Sequence, residues 1–291
     1  MNRVILGGEA VRAGVATRHE LRRDYTKLHR GVFVRGGGEI SVKDRAIGAW
    51  LATGRRGVIA GVSASALHGA PWVDARCPIE VTGVKGRPQD GLLLRTERLA
   101  ADEITRVGGL PVTSRVRTAF DLGRHLERTE ALARLDALMW NQRFDIEAVA
   151  ALTQRYPRVR GIAQLRELLP LVDGGAASPR ESALRLALHD NGFPRPETQY
   201  PVLDGTRPVA FLDLAYVEYG VAVEYDGDHH RKDRTTYVKD IARLRMLEQR
   251  GWIVVRVIAE DQPAAWLSRV AAALRARGCP LQSGPVTTLS A

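Results

Sequence analysis

The 291-residue chain has only two cysteines, Cys77 and Cys279, which lie far apart and belong to no CxxC or Cys/His cluster. That spacing excludes a zinc ribbon and a disulfide framework, leaving two structural thiols. Long apolar runs are also missing. The stretch Gly57–Val73 is free of Asp, Glu, Lys and Arg, but Gly, Ser, His and Pro break it up, unlike a bilayer span. Nor does Met1–Gly14 hold the apolar centre of a secretory leader. These absences predict a cytoplasmic protein with no membrane partner. Lysine is scarce too, since nearly all of the 43 basic residues are arginine.

Apolar side chain is present in quantity. Residues of the hydrophobic class make up 45% of the chain, enough for two or more cores at this length. The net charge of +10 is unevenly placed. From Asp173 onward, 15 basic residues face 15 acidic ones, so Met1–Val172 carries the whole excess with 28 basic against 18 acidic. Within Met1–Ala60 the ratio is 12 to 5. A basic opening of this kind suits contact with a polyanion, of which DNA is the expected one.

The opening also has a recognisable order. Glu9–Ala13 forms at least one helical turn, Gly14 is a turn residue, and Thr17 can cap a second helix through His19, Leu21 and Arg23. A strand pair around Lys27–Arg35 follows, with Gly31 permitting a tight bend. Helix, turn, helix and basic hairpin is the order of a winged helix. In that geometry Arg18, Arg22 and Arg23 would enter a groove, while Lys27, Arg30 and Arg35 would touch phosphates.

Beyond it, helices at SVKDRAIGAWLATG and GVSASALHG, strands at IEVTG and GLLLRTE, and a strand running into a helix at LPVTSRVRTAFDLG extend to about residue 125. Three helical stretches fill Glu127–Val172, broken by Pro157 and Gly161, and the small, flexible run DGGAAS at 173–178 makes a linker. The predicted division is a winged helix at 1–60, an α/β domain at 61–125, a helical connector at 126–172 and a C-terminal domain at 173–291.

Residues 29–35 (HRGVFVR), SASALHG, IEVTG and LPVTSRVRTAFDL together resemble the antitoxin component of abortive-infection type IV toxin–antitoxin systems. That resemblance covers roughly the first 125 residues. It implies a DNA-binding winged helix and a toxin as partner.

In the C-terminal domain, Ser178, Pro179 and Glu181 begin a helix, with Glu181 placed as a capping-box carboxylate. Strands at about 198–203, 209–215 and 220–226, a helix near 236–250, the strand WIVVRVIAE and a last helix to Arg277 make an α/β arrangement on a mixed sheet, α+β overall. Alternation puts Ala222, Glu224 and Asp226 on one face of their strand, and a hairpin brings Asp213 beside Glu224. Carboxylates placed so closely repel unless a cation neutralises them. An all-oxygen set favours Mg²⁺ or Mn²⁺ as cofactor, held by Asp213, Glu224 and Asp226; the alternative is an ion-pair network with Arg243, Arg245 or Arg256. A metal site of this type supports phosphodiester hydrolysis, with His229 or His230 moving a proton.

Asp213, the run Glu224-Tyr225-Asp226-Gly227 with His229 and His230, and DIARLRMLEQRGWIVVRV resemble the PD-(D/E)xK nuclease superfamily, with the domain of unknown function 559 and the very-short-patch repair endonucleases as nearest kin. The resemblance covers about Ser178–Arg277. It implies a restriction-endonuclease-like core, a metal held by Asp213 and Glu224, and Glu181 near it. Asp226 departs from the pattern, which usually has Lys there to orient the water. Two functions are thus expected: a winged-helix-targeted, metal-dependent DNA endonuclease that acts alone or as a homodimer, or a non-enzymatic DNA-binding antitoxin-type regulator with a degenerate nuclease fold.

Overall fold

The computed structural model describes residues 3–87, 89–140, 142–227 and 234–281, with only the backbone of 234–237. The chain forms two compact units, Met1–Gly174 and Gly175–Ala291. Its helices and its mixed or antiparallel sheets make it α+β.

The N-terminal unit opens with β1 (Val4–Leu6), α1 (Gly7–Arg12), α2 (Arg18–Arg23), β2 (Tyr25–His29) and β3 (Val32–Arg35). Thr17 begins α2 with a capping box: its hydroxyl accepts from the Glu20 N–H, and the Glu20 carboxylate accepts from the Thr17 N–H at 2.7 Å. Gly31, at φ 77, closes the β2–β3 hairpin in the left-handed region that favours glycine. β3 then pairs antiparallel with β1 as well as with β2, burying Val4, Val32 and Val34. Helix α3 (Val42–Ala52), begun by a second capping box of Ser41 and Asp44, packs Ile47 and Trp50 against this cluster and against the next one. One helix therefore serves two cores.

The second core lies on a five-stranded sheet of β4 (Val58–Ile59), β5 (Ile79–Thr82), β6 (Leu92–Arg95), β7 (Ile104–Val107) and β8 (Leu110–Thr113), in the order β6-β5-β4-β8-β7. Helix α4 (Gly61–Leu67) leads to His68, whose Nε2 lies 2.8 Å from the Thr113 carbonyl, a local satisfaction of the ring. Helix α5 (Arg115–His125) starts at Ser114, whose hydroxyl accepts from the Arg117 N–H. It is buried along most of its length and packs beside α6 (Arg128–Trp140), α7 (Ile146–Arg155) and α8 (Ile162–Leu168).

The C-terminal unit runs α9 (Pro179–Asp190), β9 (Glu197–Asp204), β10 (Arg207–Tyr216), β11 (Val221–Asp226), α10 (Arg234–Gln249), β12 (Ile253–Ile258) and α11 (Pro263–Ala276). The sheet is mixed, in the order β12-β11-β10-β9: β9 to β11 form an antiparallel meander and β12 joins β11 in parallel across the α10 crossover. Val221, Val223, Val255 and Val257 pack with α9 and α11 through Leu184, Leu188, Trp266 and Val270. Ala222 and Leu212 instead pack with Leu247 of α10. Helices thus cover both faces, which is why the β11 and β12 sequences are near-continuous apolar runs.

Candidate nucleic-acid interface and candidate metal centre

Each of the six predicted DNA-contacting residues, Arg18, Arg22, Arg23, Lys27, Arg30 and Arg35, is exposed. Leu21 points α2 into the unit's core, at 7% exposure, which leaves Arg18 and Arg22, four apart, on the solvent side. Arg23 differs from the rest. Its Nε and Nη2 donate to the two Asp24 oxygens at 2.7 and 2.9 Å, a bidentate pair that occupies its guanidinium. Among the described residues, the side chains of Arg18, Arg22, Lys27, Arg30 and Arg35 have no carboxylate partner. Five cations on a short helix and an adjoining hairpin, none of them in an ion pair although Asp24 lies within electrostatic reach of Arg35, form a candidate surface for phosphates.

The acidic residues of the C-terminal unit come together as the strand pattern predicts. Leu214 pairs with Val223 across β10 and β11, and one Asp213 oxygen accepts the Tyr225 N–H at 3.1 Å, so Asp213 sits beside Glu224. A cavity of about 270 Å³ is lined there by Asp213, Glu224, Asp226, Asp240, Arg243 and Arg256. Glu181, 6% exposed, accepts from the Ser178 hydroxyl and the Ala177 N–H at 2.9 and 2.8 Å; it sits at the helix start as expected but takes the N–H before the cap residue rather than closing a capping box. Its Oε2 also accepts from Gln199 Nε2 at 3.0 Å, and the same nitrogen lies 3.4 Å from Asp213 Oδ1. Gln199 stands at φ 47, a conformation rare for non-glycine residues that costs roughly 1–3 kcal/mol. No sequence signal marks this bridging glutamine, which sits in a strand without periodic or charged context.

Burial, reinforced by Glu181 and Glu224, pushes the Asp213 carboxyl up to about 6; the Tyr225 N–H and Arg243 oppose this only in part. Two arginines meet the other acids. Arg243 of α10 grips Glu224 bidentately at 2.9 and 2.5 Å and also donates to the Phe211 carbonyl. Arg256 of β12 bonds Asp226 at 2.6 Å and Asp240 at 2.9 Å. Asp240 lies 4.0 Å from Arg243, so its main partner is Arg256 rather than its helix neighbour. His229 and His230 lie outside the described residues. In this arrangement both Glu224 oxygens and one Asp226 oxygen bond guanidinium groups, so the expected Mg²⁺ or Mn²⁺ would have to displace Arg243 or Arg256 to be held there. Among the described residues, the group whose ligand atoms all lie within 4.8 Å of one another is elsewhere, Glu97, Asp121 and His125 of the N-terminal unit. There, too, Arg117 and Arg124 bond the carboxylates.

Comparison with known proteins adds a class to this geometry. Residues 58–171, from β4 through α8, match the model of the AbiEi antitoxin C-terminal domain. The match takes in α6 to α8, beyond the first 125 residues on which the sequence shows its resemblance. An uncharacterized protein of Mycobacterium tuberculosis strain CDC 1551 / Oshkosh, MT2308, is 34% identical over 192 residues, spanning 65% of this chain and 70% of that protein. The uncharacterized protein Rv2248 of strain ATCC 25618 / H37Rv gives the same figures. The chain belongs to one family with these mycobacterial proteins, and its residues 58–171 are similar to the AbiEi antitoxin C-terminal domain. No helix among the described residues is long and apolar enough to cross a membrane.

Proposed function

We propose that the protein is a DNA-binding regulator of the antitoxin type. Its opening helix pair and hairpin dock on duplex DNA through Arg18, Arg22, Lys27, Arg30 and Arg35, and the C-terminal unit serves as a scaffold without hydrolytic activity. The observation that carries the reading is that these five exposed cations lack carboxylate partners among the described residues, ahead of a segment matched to the AbiEi antitoxin C-terminal domain. That match also makes a toxin the expected protein partner. The grip of Arg243 on Glu224 supports the non-enzymatic half of the proposal, because a carboxylate so engaged is poorly placed to take a metal.

A mobility-shift titration of the full chain on duplex DNA tests it. Replacing Arg18 and Arg22 together by alanine removes two phosphate contacts and should weaken binding about a hundredfold or more, at roughly 1.5–3 kcal/mol per charge-assisted bond. Unchanged affinity would sink the proposal. Supercoiled plasmid incubated with Mg²⁺ or Mn²⁺ should stay intact.

One observation favours the second reading, a metal-dependent endonuclease with Mg²⁺ or Mn²⁺ as cofactor and Glu181, Asp213, Glu224 and Asp226 in its site. The crowding of Glu181 and Glu224 around Asp213 is a repulsion that a divalent cation would relieve. That reading requires Arg243 to release Glu224. Nicking of the plasmid that disappears in both Asp213→Ala and Glu224→Ala would replace the regulator reading with it.

A further inference from the structure

A cavity of about 820 Å³ in the N-terminal unit belongs to neither region above. Its size is that of a small-molecule site. Helix α5 forms one wall with Arg117, Phe120 and Arg124; the segment after β6 contributes Glu97 and Arg98; and the turn before α8 contributes Arg160. The turn is held close to α5. Gly161 sits at φ 79, where a Cβ would lie only 2.0 Å from the Arg124 carbonyl oxygen, and Gln164 donates to the Gly123 and Leu126 carbonyls at 2.8 and 3.0 Å. The cavity wall is therefore built rather than incidental.

Its charge is lopsided. Five arginines line it against one carboxylate, Glu97. The deep arginines are already committed. Arg117, 2% exposed, bonds Asp121 through Nε at 3.1 Å, Glu97 through Nη2 at 2.7 Å and Glu103 through Nη1, while Arg124 bonds Glu97 and Asp121. These pairs hold the guanidinium groups in place with their charge largely offset. Arg98 and Arg160 are different: both are exposed, and among the described residues neither side chain has a hydrogen-bond or carboxylate partner. Within the wall, Arg124 is 94% buried, since only 6% is exposed, yet its Nε finds no acceptor among the described residues. A buried guanidinium N–H without a partner is a cost that the bonds of Arg124 to Glu97 and Asp121 offset.

The cavity is far larger than a bare phosphate needs. Phe120, Leu126, Tyr156 and Val159 supply an apolar share of its wall, with the Phe120 and Tyr156 rings 5.8 Å apart. A ligand matching both halves carries an anionic group and a flat organic body. We propose that this cavity binds a nucleoside phosphate, with the phosphates met by Arg98 and Arg160 and the base received by the apolar wall of Leu126, Tyr156 and Val159. Arginine suits the first task because its planar fork matches phosphate oxygens in pairs. The site is distinct from the DNA surface of α2 and the hairpin, and the inference stands whether or not that surface binds DNA.

Isothermal titration of the full chain with ADP, GDP, CDP and UDP tests it, beside the matching nucleosides and inorganic pyrophosphate. At least one diphosphate should bind with Kd below about 100 µM, with its nucleoside and pyrophosphate each about tenfold weaker or more. Arg98→Ala and Arg160→Ala should each weaken that binding about tenfold, and the double variant about a hundredfold, as expected for two separate charge-assisted contacts. Both side chains are exposed, so the variants should melt with the parent protein. Three results overturn the proposal: no saturable binding of any diphosphate at about 1 mM, a range where even weak sites register; pyrophosphate binding as tightly as the best nucleotide, the mark of an adventitious anion only; or loss of duplex-DNA affinity in the double variant while nucleotide binding is unchanged.

Discussion

Asp213 shows how one residue can be legible in position and opaque in state. Its place beside Glu224 follows from strand alternation and an eleven-residue hairpin spacing, both visible in the sequence. Glu181 is placed near Asp213 by the nuclease resemblance alone, and what the sequence does not carry is the company of Gln199, brought from β9 by packing. Nor does it decide between a cation and an arginine as the partner of Glu224, since Arg243 and a divalent ion answer the same electrostatic need. The residue leaves a measurable trace in stability. Its folded pKa of about 6 lies above the ordinary 3.8, so the folded chain binds its proton more tightly than the unfolded chain does. The linkage therefore favours the fold below pH 4 and loses that contribution as pH rises through 6, a penalty of about 2–3 kcal/mol at neutral pH. Asp213→Asn removes the charge and keeps an acceptor for the Tyr225 N–H. It should raise the melting temperature at pH 7.5 and leave it nearly unchanged at pH 4. Equal shifts at both pH values would mean that charge crowding is not what the carboxyl experiences.

At the scale of elements, α2 shows what local chemistry can and cannot do. A six-residue helix has too few internal hydrogen bonds to be stable alone, so its boundaries depend on Thr17 and Glu20 and its anchorage on Leu21. Thr17 and Leu21 are readable in the sequence, as a cap and as a helix position, whereas Glu20's part in the box emerges only in the structure. Thr17→Ala removes the hydroxyl that accepts the Glu20 N–H and donates to its carboxylate, leaves the backbone half of the box, and should cost about 1 kcal/mol of stability. Because Arg18 and Arg22 ride on the same turn, it should also weaken DNA binding several-fold, although Thr17 is not among the predicted DNA-contacting residues; parallel melting and mobility-shift experiments measure the two effects together. Loss of stability with full DNA affinity would detach the helix from the interface. Other elements gave no such signal. β1 and β4 are three and two residues long, and β7 is largely exposed, so none shows a period that a strand pattern could reveal. They exist because neighbours offer an edge to pair with. The Arg117 network is hidden for a related reason: Glu97, Glu103 and Arg117 are separated by up to 20 residues, and only the pairs of Asp121 with Arg117 at i,i+4 and with Arg124 at i,i+3 have helical spacing.

For the molecule as a whole, the decisive quantity is where charge is left uncompensated. The C-terminal residues balance 15 against 15, so long-range attraction to DNA has to originate in the first 172 residues. Within those, many arginines are spent internally, as Arg117, Arg124 and Arg155 are on buried or neighbouring acids. Other exposed cations, Arg98 and Arg160 among them, are also without a carboxylate partner, and the five on α2 and the hairpin are set apart by sharing one short helix and its adjoining hairpin. Each neutralised phosphate contributes about −0.9 to the slope of log affinity against log salt, so five contacts give a slope near −4.5. Arg22→Ala should make that slope shallower by about 0.9, whereas Arg23→Ala should change it by clearly less, because the Asp24 carboxylate already occupies that guanidinium. Asp24→Asn releases Arg23 and should steepen the slope. Anisotropy titrations of labelled duplex across a series of KCl concentrations read all three variants. A slope that Arg22→Ala leaves untouched, or that Arg23→Ala changes as much, would show that DNA meets another face and that the unpaired cations of α2 are only solvated.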